Sequence, residues 1–159
     1  MSSVRLENIN KSFGEINAIK NLNLNINDGE FFVLLGPTGA GKTRTAINIV
    51  CNYLKENTKS LIIWLAHTEE LCQQAHDEFN KAWAIIGNKK TKSYKLFKDF
   101  RFDIEKISSG FVVMSLDYAY SLTKKDQKKF FTLARNTRFV IMDEAHMSIA
   151  KSYKQVLEI

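Results

Sequence analysis

Hydrophobic and polar residues follow two regimes along the chain, and the change falls near residue 31. Val4 to Ile9 begins as an alternation of apolar and polar positions, and a turn follows around Phe13-Gly14-Glu15. Leu22, Leu24 and Ile26 then alternate with Asn21, Asn23, Asn25 and Asn27, a period of two that a half-buried strand explains. Asp28-Gly29 is a hairpin signal ahead of Glu30. The first 35 residues therefore read as an antiparallel β unit. From Phe31 onward the apolar residues come in continuous runs separated by helix-spaced segments. Phe31-Phe32-Val33-Leu34-Leu35 is the first run, and Ala46, Ile47, Val50, Tyr53 and Leu54 keep helical spacing after it. Leu61 to Ala66 is a second run, of the kind a buried parallel strand needs. Thr68 is placed to cap the next helix, Glu69 and Glu70 suit its N-terminal dipole, and Leu71, Ala75, Phe79, Ala82 and Ile86 form its buried stripe up to Gly87-Asn88. A lysine-rich stretch follows, then an apolar run at Phe111-Val112-Val113-Met114, a region of helical composition around Tyr118 to Ala134, and a last run at Phe139-Val140-Ile141-Met142. Strands alternating with helices at this spacing predict an α/β fold, a mostly parallel sheet with helices on both faces, preceded by the short antiparallel β unit.

Composition narrows this picture. A chain of 159 residues with 45% hydrophobic content is expected to form one domain with a real core. The apolar runs fall far short of the roughly 18 residues of a membrane helix, and Met-Ser-Ser-Val-Arg lacks the shape of a signal peptide, so a cytoplasmic location is expected. Cys51 and Cys72 stand apart with no C-x-x-C spacing and read as reduced core thiols, while His67, His76 and His146 offer no ligand spacing. The net charge of +6 is unevenly spread. Through residue 43, Arg5, Lys11, Lys20 and Lys42 are balanced by Glu7, Glu15, Asp28 and Glu30, so the whole excess lies beyond. It concentrates in Lys89, Lys90, Lys92, Lys95, Lys98 and Arg101, and again in Lys124, Lys125, Lys128, Lys129, Arg135 and Arg138. Such clusters suit a polyanion, with salt-sensitive affinity, or a merely solvated surface.

Two stretches carry chemistry. Gly36-Pro37-Thr38-Gly39-Ala40-Gly41-Lys42-Thr43 fits the phosphate-loop pattern G-x-x-x-x-G-K-[ST] without a mismatch, after a strand signal and before a helix signal. Glycines let backbone N–H groups turn inward around phosphate oxygens, and the following helix start adds positive potential. Lys42 would then reach the β- and γ-phosphates and the Thr43 hydroxyl would coordinate Mg²⁺, which makes ATP with Mg²⁺ the expected ligand. Asp143 and Glu144, at the end of the last apolar run, are the expected second half of that site. One carboxylate there holds Mg²⁺, usually through water, and its neighbour orients or deprotonates the attacking water.

The chain also resembles two ATPase families, one on either side of the loop. Val4 to Gly14, Ala18 to Leu22 and Asp28 to Pro37 resemble the start of an ABC transporter ATP-binding subunit, over about residues 1–43. That resemblance implies that Phe13 stacks on adenine and that a membrane permease is the partner; Phe13 as a core residue of the β unit is the alternative. Beyond the loop, Asp143-Glu144-Ala145-His146 spells the DEAH signature of superfamily 2 helicases, and Pro37 to Thr43 is their form of the phosphate loop. Leu65 to Ala75 resembles their motif Ia region, and Val112 to Leu116 the strand and turn of motif Ib. Residues 36–159 thus resemble the first RecA-like domain of such a helicase. This implies ATP hydrolysis coupled to DNA or RNA, Lys42 on phosphate, Thr43 and Asp143 on Mg²⁺, Glu144 as catalytic base and His146 coupling the nucleotide to later motifs. His67, Thr68 and Ser115 would lie near the nucleic-acid backbone, or else His67 and Thr68 are a helix cap and its neighbour.

Neither resemblance covers everything. Downstream of Thr43 there is no Leu-Ser-Gly-Gly-Gln type signature, and upstream of the loop no helicase Q-motif. In helicases a motif III strand lies between the loop strand and the Asp-Glu strand, and a second RecA-like domain supplies an arginine finger. Residues 1–159 contain neither, so an incomplete P-loop NTPase domain is expected, with 1–35 as the ABC-like β unit and 36–159 as the helicase-like core. The alternatives to a helicase half are a transporter ATPase subunit and a nucleotide-binding module without coupled turnover.

Overall fold

The computed structural model describes residues 4–13, 15–27, 30, 32, 39, 41–100 and 102–144, with the backbone alone for residues 11, 13 and 16–19. Gly36, Pro37, Thr38, Ala40, Asp28-Gly29, Arg101, His146 and the Phe13 side chain therefore lie outside the described residues, as does most of the expected strand at 31–35. The chain divides into two compact units, residues 1–40 and residues 41–159.

The first unit is a two-stranded antiparallel sheet of β1 (Val4–Phe13) and β2 (Ile16–Ile26), paired from Val4 opposite Ile26 to Phe13 opposite Ile16. Leu22, Leu24 and Ile26 are half-buried while the asparagines between them are exposed, as the alternation predicts. The asparagines also have a structural task. The register shifts between Leu6 and Ile9, and Asn8 and Asn21 adopt left-handed φ values of 51° and 49°. Asparagine tolerates that region better than other non-glycine residues. The N–H of Asn8 donates to Asn23 Oδ1 at 2.9 Å, and the N–H of Asn21 donates to Asn10 Oδ1 at 2.8 Å. Cross-strand amides thus serve the two backbone donors that the irregular ladder turns away.

The second unit runs α1 (Lys42–Glu56), β3 (Leu61–Ala66), α2 (Glu69–Ile86), β4 (Ser93–Leu96), a 3₁₀ turn (Ile104–Lys106), β5 (Gly110–Ser115), α3 (Leu116–Lys125), α4 (Gln127–Asn136) and β6 (Thr137–Met142). Its sheet has the order β4-β5-β3-β6, with every pairing parallel. The uninterrupted apolar run of β3 follows from coverage on both faces. Leu61, Ile63 and Leu65 pack with Val112, Met114, Leu116 and Phe130 on the α3–α4 side. Ile62, Trp64 and Ala66 pack with Ile47, Val50, Leu54 and Phe79 on the α1–α2 side. Phe79 stacks on Phe111 at a centroid distance of 4.3 Å, joining α2 to the middle of the sheet. In β6, by contrast, Arg138 and Val140 are exposed, and among the described residues this strand ends the sheet.

Two elements depart from the sequence expectation. β4 lies inside the lysine-rich stretch, where only Tyr94 and Leu96 face the core. The helical region around Tyr118 to Ala134 is two helices, because Asp126 ends α3 and caps α4. Among the described residues no helix is long and apolar enough to cross a membrane.

Candidate functional site

The three helices that follow a loop or strand at the top of the sheet begin in two different ways. Thr68 caps α2 by accepting the Leu71 N–H at 3.2 Å, with Glu69 and Glu70 in the first turn. Ser115 caps α3 by accepting the Tyr118 N–H at 3.3 Å, with Asp117 in the first turn. The start of α1 carries neither device: its first residue is preceded by Gly41, which has no side chain to offer, and its first turn contains no acid. An α-helix leaves its first N–H groups without intrahelical partners, and its dipole favours negative charge there. At α1 these N–H groups are left for water, a ligand or another part of the chain.

The two described glycines just before this start share a left-handed backbone. Gly39 and Gly41 adopt φ values of 83° and 78°, and a β-carbon built at either one would meet no atom within 4 Å. Glycine is needed for the left-handed conformation, and open space lies beside it. Lys42 and Thr43 are the first two residues of α1, both half-buried.

Asp143 and Glu144 follow β6 directly. The Asp143 N–H donates to the Leu65 carbonyl at 2.9 Å, which carries the β3–β6 ladder one residue past the strand. The Glu144 N–H donates to Asp143 Oδ1 at 3.1 Å, and Glu144 is exposed with a left-handed φ of 53°. Burial pushes the Asp143 carboxyl up from its ordinary range; the Glu144 N–H opposes this, the Glu144 charge adds to it, and Lys42 draws it back down. The Lys42 ammonium therefore acts on Asp143, so the fold brings the two sequence motifs into one electrostatic site. A divalent cation would relieve the desolvated carboxylate in the same way.

His67, Thr68 and Ser115 lie along the same end of the sheet. Ala66 is level with Ser115, so the starts of α2 and α3 are neighbours, and Leu65 is level with Met142, just before Asp143. Ligands of open parallel sheets bind beyond the carboxyl ends of the strands. His67 is exposed, Thr68 half-buried and Ser115 only 9% exposed. Both hydroxyl oxygens accept a cap bond, which leaves each O–H as a donor. Cys72 lies near this site, with its thiol donating to the Ala66 carbonyl at 3.9 Å, and burial pushes it up to about 12. Cys51, also buried, is raised to about 12 by burial, so both free thiols are unreactive core groups. Among the described residues no cluster of three or more metal-binding side chains exists. After β4, Phe97, Phe100 and Phe102 interleave with charged residues.

Comparison with known proteins bears on both sides of the loop. Through its N-terminal part the chain is similar to ATP-binding subunits of import systems. It is 45% identical over 60 residues to the spermidine/putrescine import ATP-binding protein PotA of Haemophilus ducreyi, covering 38% of this chain and 16% of that protein. It is 56% identical over 43 residues to the PotA protein of Rubrobacter xylanophilus, covering 27% and 11%. To the trehalose/maltose import ATP-binding protein MalK of Thermococcus litoralis it is 51% identical over 45 residues, covering 28% and 12%. The chain thus spans between 11% and 16% of the length of these relatives. A model of the family described as type III restriction enzyme, res subunit, matches residues 9–159, crossing the phosphate loop and reaching upstream into the ABC-like stretch. With the RecA-like sheet and the loop, this match places the chain in the type III restriction enzyme res-subunit family, as a helicase-type, ATP-binding P-loop NTPase.

Proposed function

We propose that this chain binds ATP with Mg²⁺ and serves as the ATP-hydrolysing half of a DEAH-type superfamily 2 helicase or translocase, coupled to nucleic acid. The observation that carries the reading is the uncapped start of α1 beside Asp143, with Lys42 acting on that carboxylate. Lys42 and the backbone of residues 36–41 hold the phosphates, and Lys42 stabilises charge on the β- and γ-oxygens as it develops. Thr43 and Asp143 would hold Mg²⁺, which when bound supplies charge neutralisation between the β- and γ-phosphates. Glu144 accepts a hydrogen bond from the attacking water, orienting it and taking its proton; its exposure leaves it accessible to solvent. Phe13 packs against adenine, and His146 links the nucleotide to later motifs. His67, Thr68 and Ser115 face the nucleic-acid backbone, the two hydroxyls donating their remaining O–H to phosphate. In this reading residues 1–35 and 36–159 form one P-loop NTPase domain, a second RecA-like domain outside these 159 residues supplies an arginine finger, and the protein works in the cytoplasm, where buried reduced thiols persist.

A transporter-type role is the second reading, favoured by the identity of the N-terminal part to import ATPases. Nucleotide turnover separates the two. Single-stranded or duplex nucleic acid is expected to raise the ATP hydrolysis rate of the purified chain. A rate unchanged by polynucleotide and raised by a membrane permease would replace the helicase reading. A rate changed by neither would leave a nucleotide-binding module.

A further inference from the structure

We infer that the segment leaving β4 is a nucleobase-stacking site, centred on Phe100 and flanked by Phe102, with Lys95 and Lys98 taking adjacent phosphates of a single strand. The inference rests on the nucleic-acid reading above and adds to it contact with the bases themselves.

The sheet register brings this segment to the working end of the fold. Leu96 is level with Met114, one residue before Ser115, and Ser115 is level with Ala66, just before His67 and Thr68. Phe97 and the residues after it therefore leave the sheet at the end where α2 and α3 begin. Adjacent strands are about 4.8 Å apart, so β4, β5 and β3 present their ends within about 10 Å of one another.

Two large aromatic rings stay half in solvent here, and each is held by a buried ring. Phe100 is 47% exposed and Phe102 45%, while Phe97 and Tyr94 are 2% and 6% exposed. Phe100 packs edge-on against Phe97 at 5.8 Å, and its N–H donates to the Phe97 carbonyl at 3.1 Å. Phe102 lies against Tyr94 at 4.9 Å. Single exposed apolar residues need no explanation, but rings fixed in this way are pre-organised surfaces. The Lys95 ammonium is fixed as well. It sits 4.8 Å from the centre of the Phe100 ring and donates to Gln73 Oε1 of α2 at 3.0 Å. Lys98 holds a left-handed φ of 54° between Phe97 and Phe100. From residue 89 to 98 there are five lysines and no acid; Asp99 and Asp103 then follow beside the two rings, and Asp103 is paired with Lys106. A positive track beside rigid aromatic faces is the construction that binds single strands, because every base has a π-face and the lysines follow the backbone.

The test compares two labelled strands of about 12 nucleotides, oligothymidylate and an abasic oligomer of the same length and charge. The chain is expected to bind oligothymidylate roughly tenfold more tightly than the abasic strand, the effect of stacking about one base. Phe100→Leu with Phe102→Leu, which keep apolar contacts with Phe97 and Tyr94, should erase that preference and leave abasic affinity unchanged. Lys95→Gln with Lys98→Gln should weaken both strands and reduce the salt slope by roughly one to two. Equal affinity of the unaltered chain for the two strands would overturn the stacking site while leaving backbone binding in place. A preference that survives the double leucine variant would also overturn it. Failure to bind either strand would remove the nucleic-acid reading and the stacking site together.

Discussion

The starts of α1 and α2 sit at the same kind of place in one fold, yet they solve the same problem differently. Thr68 and the acids Glu69 and Glu70 settle the first turn of α2 from within the chain. The first turn of α1 has a glycine before it, no acid, and a lysine as its first residue. A self-capped start contributes to folding; a start that lacks its own anion contributes less, and keeps its dipole and N–H groups for a ligand. On the proposed nucleotide-binding reading, function displaces local stability at one helix and not at its neighbour. On that reading, bound phosphate would supply at α1 what a cap supplies at α2, and the loaded protein would be the more stable one.

The largest break in this comparison is expected at Lys42. Lys42→Ala should lower ATP affinity by about a hundredfold or more, through loss of a charge-assisted contact to phosphate, and turnover should fall with it. Calorimetric titration checks this, and unaltered affinity would mean that α1 is not a phosphate site. Glu144→Gln should leave ATP binding intact and cut turnover by roughly 10²- to 10⁴-fold. Equal turnover in the two proteins would exclude Glu144 as the base.

Asp143→Asn should act in opposite directions on function and on stability. Burial raises the Asp143 carboxyl in the folded protein, so its contribution to stability is full below the ordinary carboxylate range and is lost as pH rises through its raised value. At neutral pH, without metal, the ionised group costs stability, and asparagine removes that cost while still accepting the Glu144 N–H. Thermal melting should show the variant above the native protein at neutral pH, with the gap closing in acid. Its Mg²⁺-dependent hydrolysis should be lost. The smallest effects are expected at the self-capped starts. Thr68→Ala and Ser115→Ala should each cost about 1 kcal/mol in denaturant unfolding and leave ATP affinity unchanged. If either lowered ATP affinity as Lys42→Ala does, the division between the two kinds of helix start would fail.

How much of this was legible in the sequence depended on how each element meets the core. β3, α2 and β5 were readable because they are covered on well-defined faces: Leu61 to Ala66 is buried throughout, and the α2 stripe keeps helical spacing. β4 was not, because a four-residue edge strand turns only Tyr94 and Leu96 inward and looks like part of a charged loop. The α3–α4 break was hidden because Asp126, lying among lysines, ends one helix and caps the next in a single residue. Gly39, Gly41 and Lys42 were legible as candidates from the phosphate-loop spacing, and Asp143 and Glu144 from their place at the end of an apolar run. What spacing could not give was the influence of Lys42 on Asp143, which comes from the tertiary placement of the start of α1 relative to the end of β6. Nor could it show that Phe100 is held against Phe97 and beneath Lys95.

The asparagine amides of the N-terminal sheet have a consequence for folding fidelity. A two-stranded ribbon with little burial on either face has weak grounds for choosing one alignment over the next. Here the choice is written in polar groups: Asn23 and Asn10 each meet one backbone N–H at a left-handed asparagine, and sliding either strand by one position forfeits both matches. The ribbon thus carries an internal check on its own alignment, written in side-chain amides rather than in a buried face.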